Sequence, residues 1–166
     1  MKQDIKNLII RKYNNGDSRQ IILITLLAWV PIYASFKKLL GRELYKNVYP
    51  DWKKRKTNQI KHWLKNKTAV TYVAEFNRQV VGFVCCVADK TGPLAEIEMT
   101  AVHPDFQGMG ISTKLFKTLF KQMKSTGKKY IKVKTGGDPA HAPARKAYEK
   151  VGFDRAIPKV DYYCKL

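Results

Sequence analysis

Val102-His103-Pro104-Asp105-Phe106-Gln107-Gly108-Met109-Gly110-Ile111-Ser112-Thr113-Lys114-Leu115 is the stretch on which the reading of this chain turns. On its N-terminal side, Leu94 to Val102 is β-rich. On its C-terminal side, Leu115, Phe116, Leu119, Phe120 and Met123 recur as one buried helical face until Gly127. A strand therefore feeds a helix through a turn carrying two glycines, which let the backbone curl tightly. Successive N–H groups then converge on a point at the positive end of the helix dipole. Such a turn binds anions, and Lys114, one turn in, adds a full charge. Walker spacing GxxxxGK[ST] is absent, and Gly108-Met109-Gly110 lacks the third glycine of a dinucleotide fingerprint at Thr113. A tight structural turn is the alternative on spacing alone.

Working outward, Ala69–Glu75 and Gln79–Val87 read as a β-hairpin about Asn77-Arg78. Tyr130–Thr135 reads as a strand, Pro143–Val151 as a helix with a first-turn proline, and Gly152 as its stop. Phe153–Ile157 and Val160–Lys165 are expected as closing strands, the last pairing within the chain or across a dimer. Upstream, Leu8-Ile9-Ile10 is a first strand, and Asn14-Asn15-Gly16-Asp17 a turn. Asp17 or Ser18 should cap a helix that Pro31 ends or kinks. Phe36, Leu39 and Leu40 mark a second helical stripe, and Ile60, Trp63 and Leu64 a third, with Tyr49-Pro50-Asp51-Trp52 between them as a loop. The expectation is one mixed α/β domain over residues 1–166: residues 1–68 give the first strand and helices, and residues 69–166 the sheet.

The chain has 166 residues, 45% of them apolar, which suits one domain with a real core. Its formal charge is +19, with 32 Lys+Arg against 13 Asp+Glu, so anionic partners are favoured and polycations disfavoured unless the few acids cluster. Cys85, Cys86 and Cys164 form no CxxC pair and read as small hydrophobes in a reducing compartment; no metal site is expected. Met1–Asn15 is polar, and the apolar run Ile21–Val30 is too short to span a bilayer. A cytoplasmic protein without a membrane role is expected.

Val102-x-Pro104-x-x-Gln107-Gly108-x-Gly110-Ile111 resembles motif A of the GCN5-related N-acetyltransferases. The later Ala144-x-x-x-Tyr148-Glu149-Lys150-x-Gly152-Phe153 is similar to motif B of that superfamily, in the right order and at the right separation. The resemblance is strong over about Leu94–Phe153, fair from Ala69 and weak over the first 68 residues. It implies a central, mostly antiparallel twisted sheet with helices on both faces. It implies acetyl-CoA as acetyl donor, with backbone groups of Ala101 and Val102 on the pantetheine arm. Amides from Gln107 through Gly108, Met109, Gly110, Ile111, Ser112 and Thr113, with Lys114, would hold the pyrophosphate. Tyr148 matches the tyrosine that faces the thioester sulfur and protonates the leaving thiolate; a core aromatic is the alternative.

The sequence departs from the family's pattern twice. Ser112 stands at the final Gly/Ala of motif A, and His141 stands where an asparagine usually precedes motif B. His141 is expected to contact the cofactor or cap the helix, with a role as base the sharper alternative.

An amine must lose a proton before it attacks, so a base or a water relay is needed. Glu96, Glu98 and Thr100 share one strand face by the period of two unless a bulge re-aims them, which makes Glu96 and Glu98 the candidate bases. Solvent-facing glutamates paired with lysines are the alternative. Trp29, Tyr33 and Trp52 are the candidate substrate wall, or core. The leading expectation is acetyl transfer from acetyl-CoA to a primary amine of a small molecule or peptide by direct attack in a ternary complex, by a monomer or homodimer. The other readings are a nucleic-acid-binding module or an acyl-CoA sensor on the same fold.

Overall fold

The computed structural model describes residues 5, 7–89 and 91–166, so part of the polar start expected for Met1–Asn15 lies outside the described residues. A five-stranded sheet runs in the order β1 (Ile9–Lys12), β2 (Ala69–Phe76), β3 (Gln79–Ala88), β4 (Leu94–Val102) and β5 (Tyr130–Val133). The first four strands are antiparallel, and only the β4–β5 pair is parallel. Helices α1 (Ser18–Val48) and α2 (Trp52–Lys65) precede β2; α3 (Ile111–Ser125) and α4 (Ala142–Lys150) flank β5.

Each face of the sheet has its own core. On one, Ile21 and Ile24 of α1 and Ile60 of α2 bury Val73, Val80, Phe83, Met99 and Ala101. On the other, Ile111, Leu115, Phe116, Leu119 and Met123 of α3, with Tyr148 of α4, bury Tyr72, Ala74, Val84, Cys86, Ala95 and Ile97. The mixed α/β expectation holds, helices on both faces included. Asn77 and Arg78, at φ 49° and 63°, make the tight hairpin turn that joins β2 to β3 with the twist of the strands.

Four local expectations are corrected. Pro31 neither ends nor breaks α1: it is exposed, while Ile24 and Thr25 before it and Tyr33 after it are buried and anchor both halves. The break falls at Gly41, whose φ of 75° leaves the helix. Because the helix continues through Pro31, residues 15–48 are long and apolar enough to cross a membrane by length and composition, which corrects the reading of Ile21–Val30 as too short. Asp17 does not cap α1 with its side chain; its carboxylate turns back to the Asn14 amide and to Arg11. The expected closing strands do not form, and residues from Phe153 onward carry no regular structure. The edge strand β5 offers only four residues to pair with, and Pro158 lacks a donor. The tail is fixed instead by the Tyr163–Tyr49 hydroxyl pair at 2.9 Å and by Lys165 on Glu43.

Candidate active site

Strands β4 and β5 part where β4 bulges. Cys85 faces Met99 and Cys86 faces Ile97 across β3, so Glu98 is an extra residue in β4. Parallel pairing with β5 runs from Leu94 only to Ile97 and stops there. Beyond it, the edge of β4 from Glu98 to Val102 has no strand beside it on the β5 side among the described residues, so an extended ligand can lie along Ala101 and Val102.

At the end of that edge, Pro104–Phe106 make one helical turn, then Gly108 (φ 76°) and Gly110 (φ 78°) swing the chain into α3. Both need the left-handed conformation, and a Cβ at either would meet nothing within 4 Å, so the loop faces open space. Gly110 is the N-cap of α3 and supplies no side-chain cap. The first α3 amide with a helical partner is that of Lys114, on the Gly110 carbonyl. The amides of Ile111, Ser112 and Thr113 therefore have no partner among the described residues at the positive end of the dipole, with no acid in the first turn. This arrangement suits a phosphate. Gln107 is used differently from the expectation: its amide is bonded to Pro104 O at 3.2 Å, and its Nε2 donates to Val102 O at 3.1 Å. The donors left in the loop therefore begin at Gly108. The side chain of Ile111 is buried in the core, whereas Lys114 is exposed.

Gly82 is a site residue that sequence reasoning missed. A Cβ there would lie 3.2 Å from Ala101 O and 3.3 Å from Ile111 Cγ2, so its absence lets the start of α3 seat against β3. The available signal was a glycine inside an otherwise apolar strand.

The bulge also corrects the expected face sharing. Ala95 and Ile97 pack towards α3, whereas Met99 and Ala101 pack towards α1 and α2. Glu96 consequently lies on the α1/α2 face and Thr100 on the α3 face, its Oγ1 donating to Phe83 O. Glu96 and Glu98 line one cavity of about 280 Å³ with Val87, Asp89, Gly92 and Leu94. Lys132 and Lys134 lie 2.8 and 2.9 Å from the Glu96 carboxylate. Burial pushes Glu96 up, but the two lysines outweigh it and hold the group below the usual carboxylate range. Burial and the neighbouring Glu96 charge push Glu98 above that range.

Tyr148 is 9% exposed and packs edge-on against Phe116 and Phe153. Burial pushes its phenol up to about 12, so it is protonated at neutral pH. Its hydroxyl makes no hydrogen bond to the described residues. His141 lies seven residues earlier, two helical turns, and hence on the same side of α4. Its Nδ1 is hydrogen-bonded to Asp138 Oδ1, so that nitrogen is engaged by protein. The loop geometry requires Gly136, where a Cβ would come 2.5 Å from His141 Nδ1.

Of the expected substrate wall, Tyr33 stacks on Trp52 at 4.3 Å and meets Phe36 and Tyr49 edge-on, each at 5.6 Å. Phe36 reaches the His141 ring at 6.1 Å, which joins the aromatic cluster to the start of α4. Trp29 stands apart from that cluster, packed on the α1/α2 core under the Lys56 ammonium at 4.8 Å. Cys85 and Cys86 are buried and their thiols pushed up to about 11 and about 12, while Cys164 is exposed. Asp138 lies beside a separate cleft between α1 and Pro139, so the acids Glu96, Glu98 and Asp138 do not line one cavity.

The sequence matches the acetyltransferase (GNAT) family over residues 34–153. The chain belongs to the GNAT family. Among solved structures, this GNAT domain is similar to a PaiA N-acetyltransferase from Thermoplasma acidophilum in complex with coenzyme A. That match has 20% identity over 93% of this chain and 92% of that one, with TM-score 0.66. It is similar to an aminoglycoside acetyltransferase from an uncultured soil metagenomic sample, solved with sisomicin, at 18% identity over 98% and 99% of the two chains and TM-score 0.60. A ribosomal-protein-alanine N-acetyltransferase from Brucella melitensis biovar Abortus 2308 gives 20% identity over 96% and 99%, and TM-score 0.57. These likenesses establish the GNAT fold.

Proposed function

We propose that this chain transfers the acetyl group of acetyl-CoA to a primary amine by direct attack within a ternary complex. The observation that carries the reading is the pairing of two features at one place: an unpartnered β4 edge from Glu98 to Val102, and three free α3 amides behind Gly108 and Gly110. An extended thioester arm ending in a diphosphate needs both. The residues fit coenzyme A: Ala101 and Val102 offer backbone groups to the arm, and Gly108 to Thr113, with Lys114, offer donors and charge to the diphosphate. Bound acetyl-CoA supplies the activated acyl group.

The buried Tyr148 phenol is the donor for the departing thiolate. Of the two carboxylates, Glu98 receives the cationic amine, because Glu96 is already neutralised by Lys132 and Lys134. The aromatic surface of Tyr33, Phe36, Tyr49 and Trp52 favours an amine carried on an apolar or peptide body. The buried, protonated thiols of Cys85 and Cys86 argue for attack without a covalent enzyme intermediate. Cytoplasmic action is part of the same proposal. Thiol release from acetyl-CoA against a broad amine panel tests it: saturable release with at least one amine is expected. Failure of acetyl-CoA to bind, measured by calorimetry, would overturn it.

A further inference from the structure

Asp138 is the most heavily engaged carboxylate on this side of the molecule, its side chain 8% exposed. One oxygen contacts His141 Nδ1; the other accepts the Ser35 hydroxyl at 2.9 Å and the Ala140 amide at 3.1 Å. Ser35 comes from α1, 103 residues away, so the carboxylate ties the substrate-side helix to the loop before α4. Arg145 of α4 pins that loop further through Gly136 O and Asp138 O. Burial pushes Asp138 up, but the His141 and Ser35 hydrogen bonds outweigh it, and the group stays an anion.

An ionised carboxylate only accepts, so the proton in the Asp138–His141 contact belongs to Nδ1. In the tautomer this contact selects, the ring's lone pair is on Nε2. That nitrogen has no partner among the described residues and is not sealed from solvent. The ring faces Phe36 on the aromatic wall, and it shares a side of α4 with Tyr148, whose side chain leans back towards the helix start.

We propose that His141 is the catalytic base of this site, with Asp138 and Ser35 as the positioning residues that fix its tautomer. This rests on the acetyl-transfer reading above and deepens it. The acceptor ammonium gives a proton to His141 Nε2, while Nδ1–H stays hydrogen-bonded to Asp138. The freed nitrogen lone pair forms the C–N bond, the C–S bond breaks, and the thiolate takes the Tyr148 proton. The second proton lost by nitrogen as the adduct collapses restores the phenol, and His141 passes its proton to water.

The test uses the full chain, acetyl-CoA, and the panel amine that wild type turns over fastest. His141→Asn keeps a hydrogen-bonding side chain but not a base; kcat is expected to fall on the order of 10²–10⁴-fold. Its acceptor KM and its calorimetric acetyl-CoA affinity should stay within about threefold of wild type, about 0.6 kcal/mol. His141→Ala should recover turnover on addition of imidazole. Asp138→Asn should lower kcat with little change in KM, Ser35→Ala should do so more weakly, and Ser35→Thr, which keeps the hydroxyl, should restore it. In ¹⁵N spectra, Nδ1 of His141 should carry the proton in wild type and lose it to Nε2 in Asp138→Asn. A His141→Asn enzyme that binds acetyl-CoA and keeps kcat within threefold overturns the base assignment while leaving acetyl transfer intact. A wild type that neither binds acetyl-CoA nor releases thiol overturns both.

Discussion

Glu96 and Glu98 stand two residues apart on one cavity, and only the first is neutralised, its carboxylate lying against Lys132 and Lys134. The arrangement drives the two groups apart in acidity: Glu96 sits below the ordinary range and Glu98 above it. Removing the Glu96 charge also frees two lysines to face Glu98, and both changes favour its ionised form. Glu96→Gln is therefore expected to lower the Glu98 midpoint, read from its side-chain ¹³C signal. A Glu98 midpoint that stays in place would mean that burial alone sets it.

Glu98 also has a sign in the stability of the fold. A carboxyl whose folded value is raised binds its proton more tightly when folded, so ionising it costs stability as pH rises. Glu98→Gln should raise the melting temperature at pH 7. The gain should shrink as pH falls through the folded value and be gone below the range in which the unfolded carboxyl titrates. In the acetyl-transfer assay the same variant should raise the acceptor KM more than it lowers kcat.

Arg11 bridges Asp17 and Glu75, with contacts of 2.8 and 2.6 Å, and Asp17 is 6% exposed. Hydrogen bonding to Arg11 holds the Asp17 carboxyl below its usual range despite burial. Its stabilisation is present above the unfolded value and is lost as pH falls through the folded one. Arg11→Met is expected to cost about 2–3 kcal/mol at pH 7 in chemical denaturation, less than for a fully buried pair because Arg11 is partly solvated. The gap between variant and wild type should close in acid. A gap that persists at low pH would place the loss in packing instead.

Gly110 holds φ 78° over open space, so alanine there meets strain but no clash. Gly110→Ala should cost about 1–2 kcal/mol of stability from the left-handed backbone alone. Acetyl-CoA affinity should fall about tenfold or more if the strain turns the next amides off the diphosphate. Unchanged affinity by calorimetry would remove this loop from donor binding.

The Tyr148 hydroxyl has no hydrogen bond to lose among the described residues, whereas its ring is packed between Phe116 and Phe153. Tyr148→Phe should therefore leave the melting temperature and the acetyl-CoA affinity nearly unchanged, yet lower turnover by about 10²–10⁴-fold. Full turnover in the variant would take the phenol out of the reaction.

What could be read from the sequence was what periodicity and turn chemistry encode locally. Leu94–Val102 is the observed β4, the Leu115–Met123 stripe is the buried face of α3, and Asn77-Arg78 is the hairpin turn. Gly108 and Gly110 gave the anion loop for the same reason, since a left-handed backbone needs a glycine. Features that depend on distant partners were not legible. Nothing near Pro31 announces that Ile24 and Tyr33 will be buried on either side of it and keep α1 continuous. Ser35 gives no local sign that its hydroxyl will meet Asp138, and Gln107 gives none that its side chain will turn to Val102 O. The extra residue at Glu98 is set by the register against β3, which alternation along β4 alone does not reveal.

That extra residue makes β4 sensitive to length as well as to composition. Ahead of it the odd-numbered side chains feed one core, and after it they feed the other. Shortening the strand by one position there would restore strict alternation. Met99 and Ala101 would keep Cys85 and Phe83 as partners and their places against α1 and α2, while the bulge at which β4 parts from β5 would be lost. A single-codon deletion at this place should thus spare both cores and yet erase the bend that frees the far half of β4, a loss that no exchange of the Glu98 side chain reproduces.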